Sequence, residues 1–332
     1  MPCLINVFND IINDFSKELY KNSYVLSRKF ELKGKTALLV SAYKDTGLAE
    51  ISLSIYGDNP DNVGKLPKWK GMNQRVSKIF VQDREQIFIS FKQAETYERK
   101  IYFMIMQDIV DSIDGIENKQ MLSRLKEVLT KWSAFFQFEK EYVLSENAQQ
   151  GLYGELHILE KMIEIKGEDA VKGWTGCNAE NHDFYFGADA LEVKSSSAKG
   201  TERIKISNEY QLDDKGIAGR LYLMYLKMKK SVVYGEVLPD IVSRIMDKLS
   251  VSCKVKFQEK LLKVGYLYQL PELYVLHFKI HEECCYIVED GFPRITTQNI
   301  NKGIAEVAYS LSLEACDRFL ITVEAFYQGV LT

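Results

Sequence analysis

Three residues set the chemistry this chain could perform. Asp183 opens the segment DFYFG (183–187), and Glu192 and Lys194 lie two apart within ALEVKSS (190–196). If both segments are strands, a tight turn through Gly187 and Ala188 brings the aspartate and the glutamate side by side. Alternation then projects Glu192 and Lys194 from one face and Leu191 and Val193 from the other. Converging carboxylates form a platform for a hard cation such as Mg2+ or Mn2+, which prefers carboxylate oxygens and retains several waters. A lysine beside that cation can orient or polarise an attacking water and stabilise charge on phosphate oxygens. These are the groups that hydrolysis of a phosphodiester requires. An isolated E-x-K is ordinarily an exposed strand edge with a weak ion pair. This one differs in its company: an aspartate opening the preceding strand, a small-residue turn, Ser195 and Ser196 directly after the lysine, and an upstream helix carrying Glu155.

The elements that must position these residues can be read from periodicity. Ser145, followed by Glu146 and Asn147, caps a helix that runs to about Lys166, with Leu152, Leu156, Leu159, Ile163 and Ile165 as apolar positions and Glu155 beside that face. Beyond Gly173 come short strands at 183–187, 190–196 and 203–207, then a long apolar run at 220–228. Helix, strands, a further helix and a strand make an α/β layer. Upstream, Met121, Leu122, Leu125, Val128, Leu129, Trp132, Phe135 and Phe136 recur at helical spacing over 117–140. Residues 24–106 contain apolar segments read as strands, TALLVSAY, EISLSIYG, KIFVQDREQIFISF and KIYFMIM, with a hairpin in the third, a loop at 58–76, and a short amphipathic helix ahead of them near 5–20. The tail reads as one or two helices, strands near 273–288 and a final apolar segment. The expected organisation is an N-terminal β-rich domain (1–115), a connecting helix (116–145), a catalytic core (146–235) and a C-terminal α/β extension (236–332).

The segments GLYGELHILEKM (151–162), HDFYFG (182–187), LEVKSS (191–196) and ISNEYQL (206–212) resemble those of the PD-(D/E)XK nuclease superfamily. With FPRIT (292–296), the chain is more closely similar, over most of its length, to a bacterial family of PD-(D/E)XK-motif proteins found among restriction and phage-defence genes. The superfamily likeness itself is confined to about 150–230. It implies a mixed α+β or α/β fold with a restriction-endonuclease-like αβββαβ core, in which Asp183 and Glu192 hold the divalent metal, Glu155 contributes to it from the first helix, and Lys194 helps activate water. His182-Asp183 stands where the superfamily commonly has Pro-Asp. Gln211, after the third strand, would contact the substrate backbone or else be a helix-surface amide, and Ser195 and Ser196 offer hydroxyls to the substrate.

The implied function is a Mg2+-dependent (or Mn2+-dependent) endonuclease acting on DNA in a restriction or phage-defence system. The alternative is a nuclease-like subunit that binds DNA or a partner protein of a larger complex and catalyses little. Because one such site cuts one strand, double-strand cleavage implies a homodimer.

Bulk properties narrow the field. A chain of 332 residues, 46% hydrophobic and 27% charged, is globular, and its net charge of −3 leaves DNA binding to local patches. Three lysine-rich stretches are candidates: Lys65, Lys68, Lys70 and Arg75 around Trp69; Lys227, Lys229 and Lys230; and Lys254, Lys256, Lys260 and Lys263. Each is more simply a solvated face. The six cysteines form no C-x-x-C pair, so neither a zinc ribbon nor a disulfide framework is expected, only buried thiols. Alternation turns His182 away from Asp183, His157 points elsewhere on its helix, and His277 and His281 lack a ligand spacing. No phosphate-binding loop, dinucleotide fingerprint or G-x-S-x-G elbow occurs, so no nucleotide cofactor is expected on this chain. Apolar runs are far shorter than the roughly 18 residues of a membrane span. The acidic N-terminus fits no signal or transit peptide. The expected location is the cytoplasm.

Overall fold

Among the described residues the strands pair antiparallel, save for one buried parallel join, and the chain divides into two compact units, residues 1–140 and 141–332. The computed structural model describes residues 2–55, 63, 66–69, 72–81, 84–95, 98–138, 143–178, 180–197 and 203–331. Of the expected 58–76 loop, residues 58–62, 64, 65, 70 and 71, Lys65 and Lys70 among them, lie outside these residues, as do 82–83 of the expected hairpin, while 72–76, expected in the same loop, are strand. No helix among the described residues is long and apolar enough to cross a membrane.

The first unit is built on five antiparallel strands, β1 (Val25–Glu31), β2 (Ala37–Tyr43), β3 (Ala49–Ile55), β4 (Met72–Val81) and β5 (Arg84–Gln93), in the order β1-β2-β3-β5-β4. Helix α1 (Leu4–Asp14) precedes them, and α2 (Arg99–Ile113) and α3 (Asn118–Phe138) follow. KIYFMIM, expected as a strand, lies in α2. Ile101, Tyr102, Phe103, Ile105 and Met106 are all buried, so the segment is apolar without helical periodicity, and a run of that kind does not distinguish a buried strand from a buried helix. The stretch expected to connect domains forms α3, which packs on α2 within this unit: Asp108 Oδ2 accepts from Trp132 Nε1 (2.8 Å) and Lys131 Nζ (3.0 Å). Trp69, the aromatic centre of the first basic patch, stacks on Phe136 with ring centroids 5.7 Å apart.

The second unit opens with α4 (Glu146–Lys166), capped as its sequence indicates by Ser145 Oγ accepting from Ala148 N. After the single turn α5 (Ala170–Gly173) come β6 (Phe184–Phe186), β7 (Asp189–Ser196), β8 (Arg203–Ile206), β9 (Leu221–Ser231) and β10 (Glu236–Val237). Then follow α6 (Leu238–Asp247), α7 (Val251–Lys263), β11 (His277–Val288), β12 (Tyr309–Ser312), β13 (Leu320–Ile321) and α8 (Val323–Leu331). The main sheet runs β10-β11-β9-β7-β6, with β13 on β11, and its one parallel join is β7 with β9, where Lys194 lies opposite Tyr225. This is the expected mixed α+β architecture, with two local differences. The third strand, β8, leaves the main sheet and pairs with β12, about a hundred residues later. The helix anticipated between β8 and β9 is a series of turns.

Alternation sorts the two faces of the sheet. Ala190, Leu223 and Tyr225 join Ile204, Ile206, Leu311 and Phe319 in one buried cluster, and Glu192 and Lys194 share the Ala190 side of β7. On the other face, α4 approaches closely at Gly154. A Cβ there would come within 3.1 Å of Met228 Cε and 3.2 Å of Leu226 Cδ1. A glycine inside a helix costs about 1 kcal/mol relative to alanine. Here it lets the backbone of α4 settle on the sheet and fixes the height of its neighbour, Glu155.

Candidate active site

The β6–β7 hairpin delivers the first two carboxylates. Phe184 pairs with Leu191, Tyr185 with Ala190 and Phe186 with Asp189, and the turn is made by Gly187, at φ +63°, with Ala188. Carrying this register one step further sets Asp183 across from Glu192. Asp183 takes up a main-chain partner of the neighbouring strand, Oδ2 accepting from Val193 N at 2.8 Å. Glu192 is only 1% exposed, and its Oε1 accepts from Lys194 Nζ at 2.6 Å. The third carboxylate arrives from α4: Glu155 Oε2 accepts from the indole N–H of Trp174 at 2.7 Å. Glu155 and Asp183 are half-buried as residues, with their carboxylates turned inward towards the same spot beside Gly176. A Cβ on that glycine would lie 2.9 Å from Glu155 Oε2 and 3.0 Å from Asp183 Oδ1.

Electrostatics follow from this crowding. Burial pushes all three carboxyls above their ordinary values, and the neighbouring charge of Asp183 adds to the effect on Glu155 and Glu192. Glu155 rises to about 8, against the opposing pull of the Trp174 hydrogen bond and of Lys194. For Lys194, burial works against the charge, but the carboxylates of Glu192 and Asp183 outweigh it and hold the ammonium above its usual range. Glu192 is thus driven towards its neutral form while its partner is held charged. The lysine's charge is the firmer of the two, since three carboxylates support it and Glu192 has one cation set against two like charges. With all three acids ionised the cluster carries three negative charges and one positive, a net −2, which is the charge one divalent cation neutralises.

The donor set fits such an ion by its chemistry. Each carboxylate spends one oxygen on a protein hydrogen bond, from Val193, Lys194 or Trp174, and has a second oxygen to offer. No group of three or more His, Cys, Asp or Glu among the described residues forms a ready-made metal cage. A fully closed cage is not what Mg2+ requires, because it ordinarily takes one or two carboxylates and keeps several waters. Asp183, Glu192 and Glu155 are therefore the residues that would hold it.

The other sequence candidates are distributed differently. Ser195 turns towards α4, where its hydroxyl lies 3.3 Å from Gln150 Nε2 and 3.4 Å from the Gln150 carbonyl oxygen, tying the end of β7 to the helix. Ser196 is half-buried on the Glu192 side of the same strand. Gln211 sits in the turns after β8, where its side-chain oxygen accepts from Ser207 N at 2.8 Å, so it braces the backbone of that turn. His182 is buried with Nδ1 3.0 Å from the Tyr185 hydroxyl, and His157 Nε2 lies 2.8 Å from Glu283 Oε1. In the second basic patch, Lys227 pairs with Glu282 and Lys230 with Glu146. In the third, Lys260 Nζ donates to the Trp174 carbonyl and Lys263 Nζ to Asn178 Oδ1. All six cysteines are free thiols; Cys177, Cys253, Cys285 and Cys316 are buried, Cys284 half-buried and Cys3 exposed.

Trp174 and Gly176 belong to the site's surroundings and were not singled out from sequence, and Lys260, which belongs there too, was read only as a member of the third basic patch. The available signal was a Trp-x-Gly seven residues ahead of the aspartate, in a stretch with no periodicity to explain a buried tryptophan. No curated protein and no solved structure matches the chain. One family model matches residues 23–314, spanning both units and every residue of the carboxylate–lysine cluster, and by that match the chain belongs to the family described as "Putative PD-(D/E)XK family member, (DUF4420)".

Proposed function

We propose that this protein is a Mg2+- or Mn2+-dependent endonuclease that hydrolyses phosphodiester bonds of DNA, acting in the cytoplasm within a restriction or phage-defence system. The observation that carries this reading is the assembly of Glu155, Asp183, Glu192 and Lys194, from one helix and two strands, into a single inward-facing cluster with an uncompensated charge of −2 when ionised. A divalent cation held there supplies Lewis-acid neutralisation of charge on the scissile phosphate. Lys194, kept protonated by its carboxylate neighbours, orients the attacking water and stabilises charge on the phosphate oxygens. Glu192, nearly inaccessible to solvent, keeps Lys194 in place through their 2.6 Å bond. Cleaving both strands calls for two copies of the site, hence a homodimer, with defence-system proteins as further partners.

The test is cleavage of supercoiled plasmid and phage genomic DNA by purified protein with Mg2+ or Mn2+, comparing wild type with Asp183→Ala and Lys194→Ala. Metal-dependent cutting lost in both variants is the expected result; cutting that persists in Asp183→Ala defeats the assignment.

One observation favours a second reading, a nuclease-like subunit that binds DNA or a partner protein and catalyses little. Glu192 is committed to Lys194, and no ready-made cage exists among the described residues. Calorimetric titration separates the two, since a nuclease takes up Mn2+ and loses it with Asp183→Ala, whereas a scaffold takes up none.

A further inference from the structure

We propose that the turn Trp174-Thr175-Gly176 is a positioning element that aims the Glu155 and Asp183 carboxylates at one shared cation, with the Trp174 indole N–H and the missing side chain of Gly176 as its two determinants. The inference rests on the metal-site reading above and extends it to residues outside the carboxylate–lysine motif.

The turn is laced to the strand that carries Asp183. Thr175 N and Gly176 N both donate to the Asp183 carbonyl, at 2.7 and 3.0 Å, and Thr175 Oγ1 donates to the His182 carbonyl at 3.0 Å. Trp174 itself forms an isolated bridge with Phe184. From this anchorage the indole reaches across to α4 and fixes one oxygen of Glu155. A carboxylate on a long side chain has several rotamers, and a single charge-assisted bond from a fully buried donor selects among them. Gly176 supplies the opposite constraint, keeping open the space against which Glu155 Oε2 and Asp183 Oδ1 both rest.

The turn is in turn held from outside the core. Trp174 packs on Phe257 of α7, ring centroids 5.9 Å apart, and Lys260 of the same helix donates to the Trp174 carbonyl. Burial lowers the Lys260 pKa, a cost consistent with an ammonium recruited to hold a backbone carbonyl in place. A tryptophan present only to fill the core would need its ring but not its N–H, and the adjacent position would have no need to be glycine. Gly176 is not among the positive-φ glycines, so backbone conformation does not explain it; the two carboxylate oxygens do.

The experiment titrates Mn2+ alone into full-length wild type, Trp174→Phe, Gly176→Ala and Glu155→Gln by calorimetry, with thermal unfolding in EDTA as the fold control. Trp174→Phe keeps the ring and deletes the donor. Gly176→Ala adds one methyl against the flexible ends of two side chains, which the fold can accommodate by moving them. Loss of an outer partner of a metal ligand typically weakens metal binding about 10- to 100-fold, and we expect at least tenfold from Gly176→Ala and somewhat less from Trp174→Phe, with melting in EDTA close to wild type. In the Glu155→Gln background, Trp174→Phe should weaken Mn2+ binding no further, because the carboxylate it acts through is gone. Wild-type Mn2+ affinity in both Trp174→Phe and Gly176→Ala overturns the proposal and leaves the metal site standing. An equal loss from Trp174→Phe with or without Glu155 also overturns it, as does a Trp174→Phe protein that melts far below wild type in EDTA yet binds Mn2+ normally. Absence of Mn2+ binding by wild type overturns the metal site and this proposal together.

Discussion

A cluster that carries too many buried carboxylates should make the metal-free protein less stable as pH rises, the reverse of ordinary acid denaturation. Glu155 is the residue on which to measure this. Burial and Asp183 raise its pKa from the ordinary 4.5 to about 8 in the folded protein. A group whose folded value lies above its unfolded value binds its proton more tightly in the native state. Its stabilising contribution is therefore fully present below about pH 4.5 and is lost as pH rises through about 8. At about 1.4 kcal/mol per pH unit the full span corresponds to about 5 kcal/mol, which is a ceiling. Glu155 and Asp183 both keep some contact with solvent and share their ionisation, so about 2–3 kcal/mol is the working figure. For a unit of this size that is a melting shift of roughly 5–10 °C. The assay is calorimetric unfolding in EDTA at pH 5 and pH 9, wild type against Glu155→Gln, so that other titrating groups cancel in the difference. Wild type should lose more stability than the variant over this interval, and Mn2+ at pH 9 should restore more stability to wild type than to the variant. Identical pH dependence in the two proteins, or a wild type that gains on the variant as pH rises, would refute the charge argument.

Two further outcomes are expected. Lys194→Met should lower stability in urea at pH 7 by about 3 kcal/mol, because it strands Glu192 in a site 1% exposed, and adding Glu192→Gln should recover most of that loss while DNA cleavage stays absent. If the purified protein cuts both strands of a duplex, light scattering should give twice the 38.3 kDa chain mass at the working concentration; a monomer that cuts both strands contradicts the homodimer.

The carboxylate–lysine constellation was legible in sequence because each of its links is local. The two-residue period of a strand puts Glu192 and Lys194 on one face, and the short span from Asp183 to Glu192, with glycine at the bend, fixes a hairpin register that carries Asp183 to the same place. Helix α4 was legible from its cap and its apolar stripe, although nothing in that stripe said that Glu155 would turn inward. What escaped is non-local. β8 has four residues and alternating burial, which suits any free edge, and its partner β12 lies a hundred residues away. KIYFMIM was misread because its apolar residues are nearly all buried and show no period, and the polar positions that mark the helix's outer face, Gln107, Asp108 and Asp111, come only after it. Lys260 looked like one member of a basic helix face, and only the fold reveals that it points at a carbonyl 86 residues earlier.

That last contact changes what counts as the core of this enzyme-like unit. A core defined by sequence likeness, ending near residue 235, contains the three carboxylates and the lysine but not the groups that hold Trp174. Phe257 and Lys260 belong to α7, in the stretch that reads as a C-terminal extension, and through Trp174 they bear on Glu155. The same stretch supplies β12, which pairs β8, and Leu311 and Phe319, which share the hydrophobic cluster with Ala190 on the side of β7 that carries Glu192 and Lys194. Residues 141–332 accordingly form one compact unit with no break at 235. The physical reason is the cluster's own demand: four ionisable groups gathered away from water must be held by rigid neighbours if their geometry is to persist without a cation, and one helix and two strands do not provide enough of them. In this protein the extension is the remainder of the wall that keeps the carboxylates together.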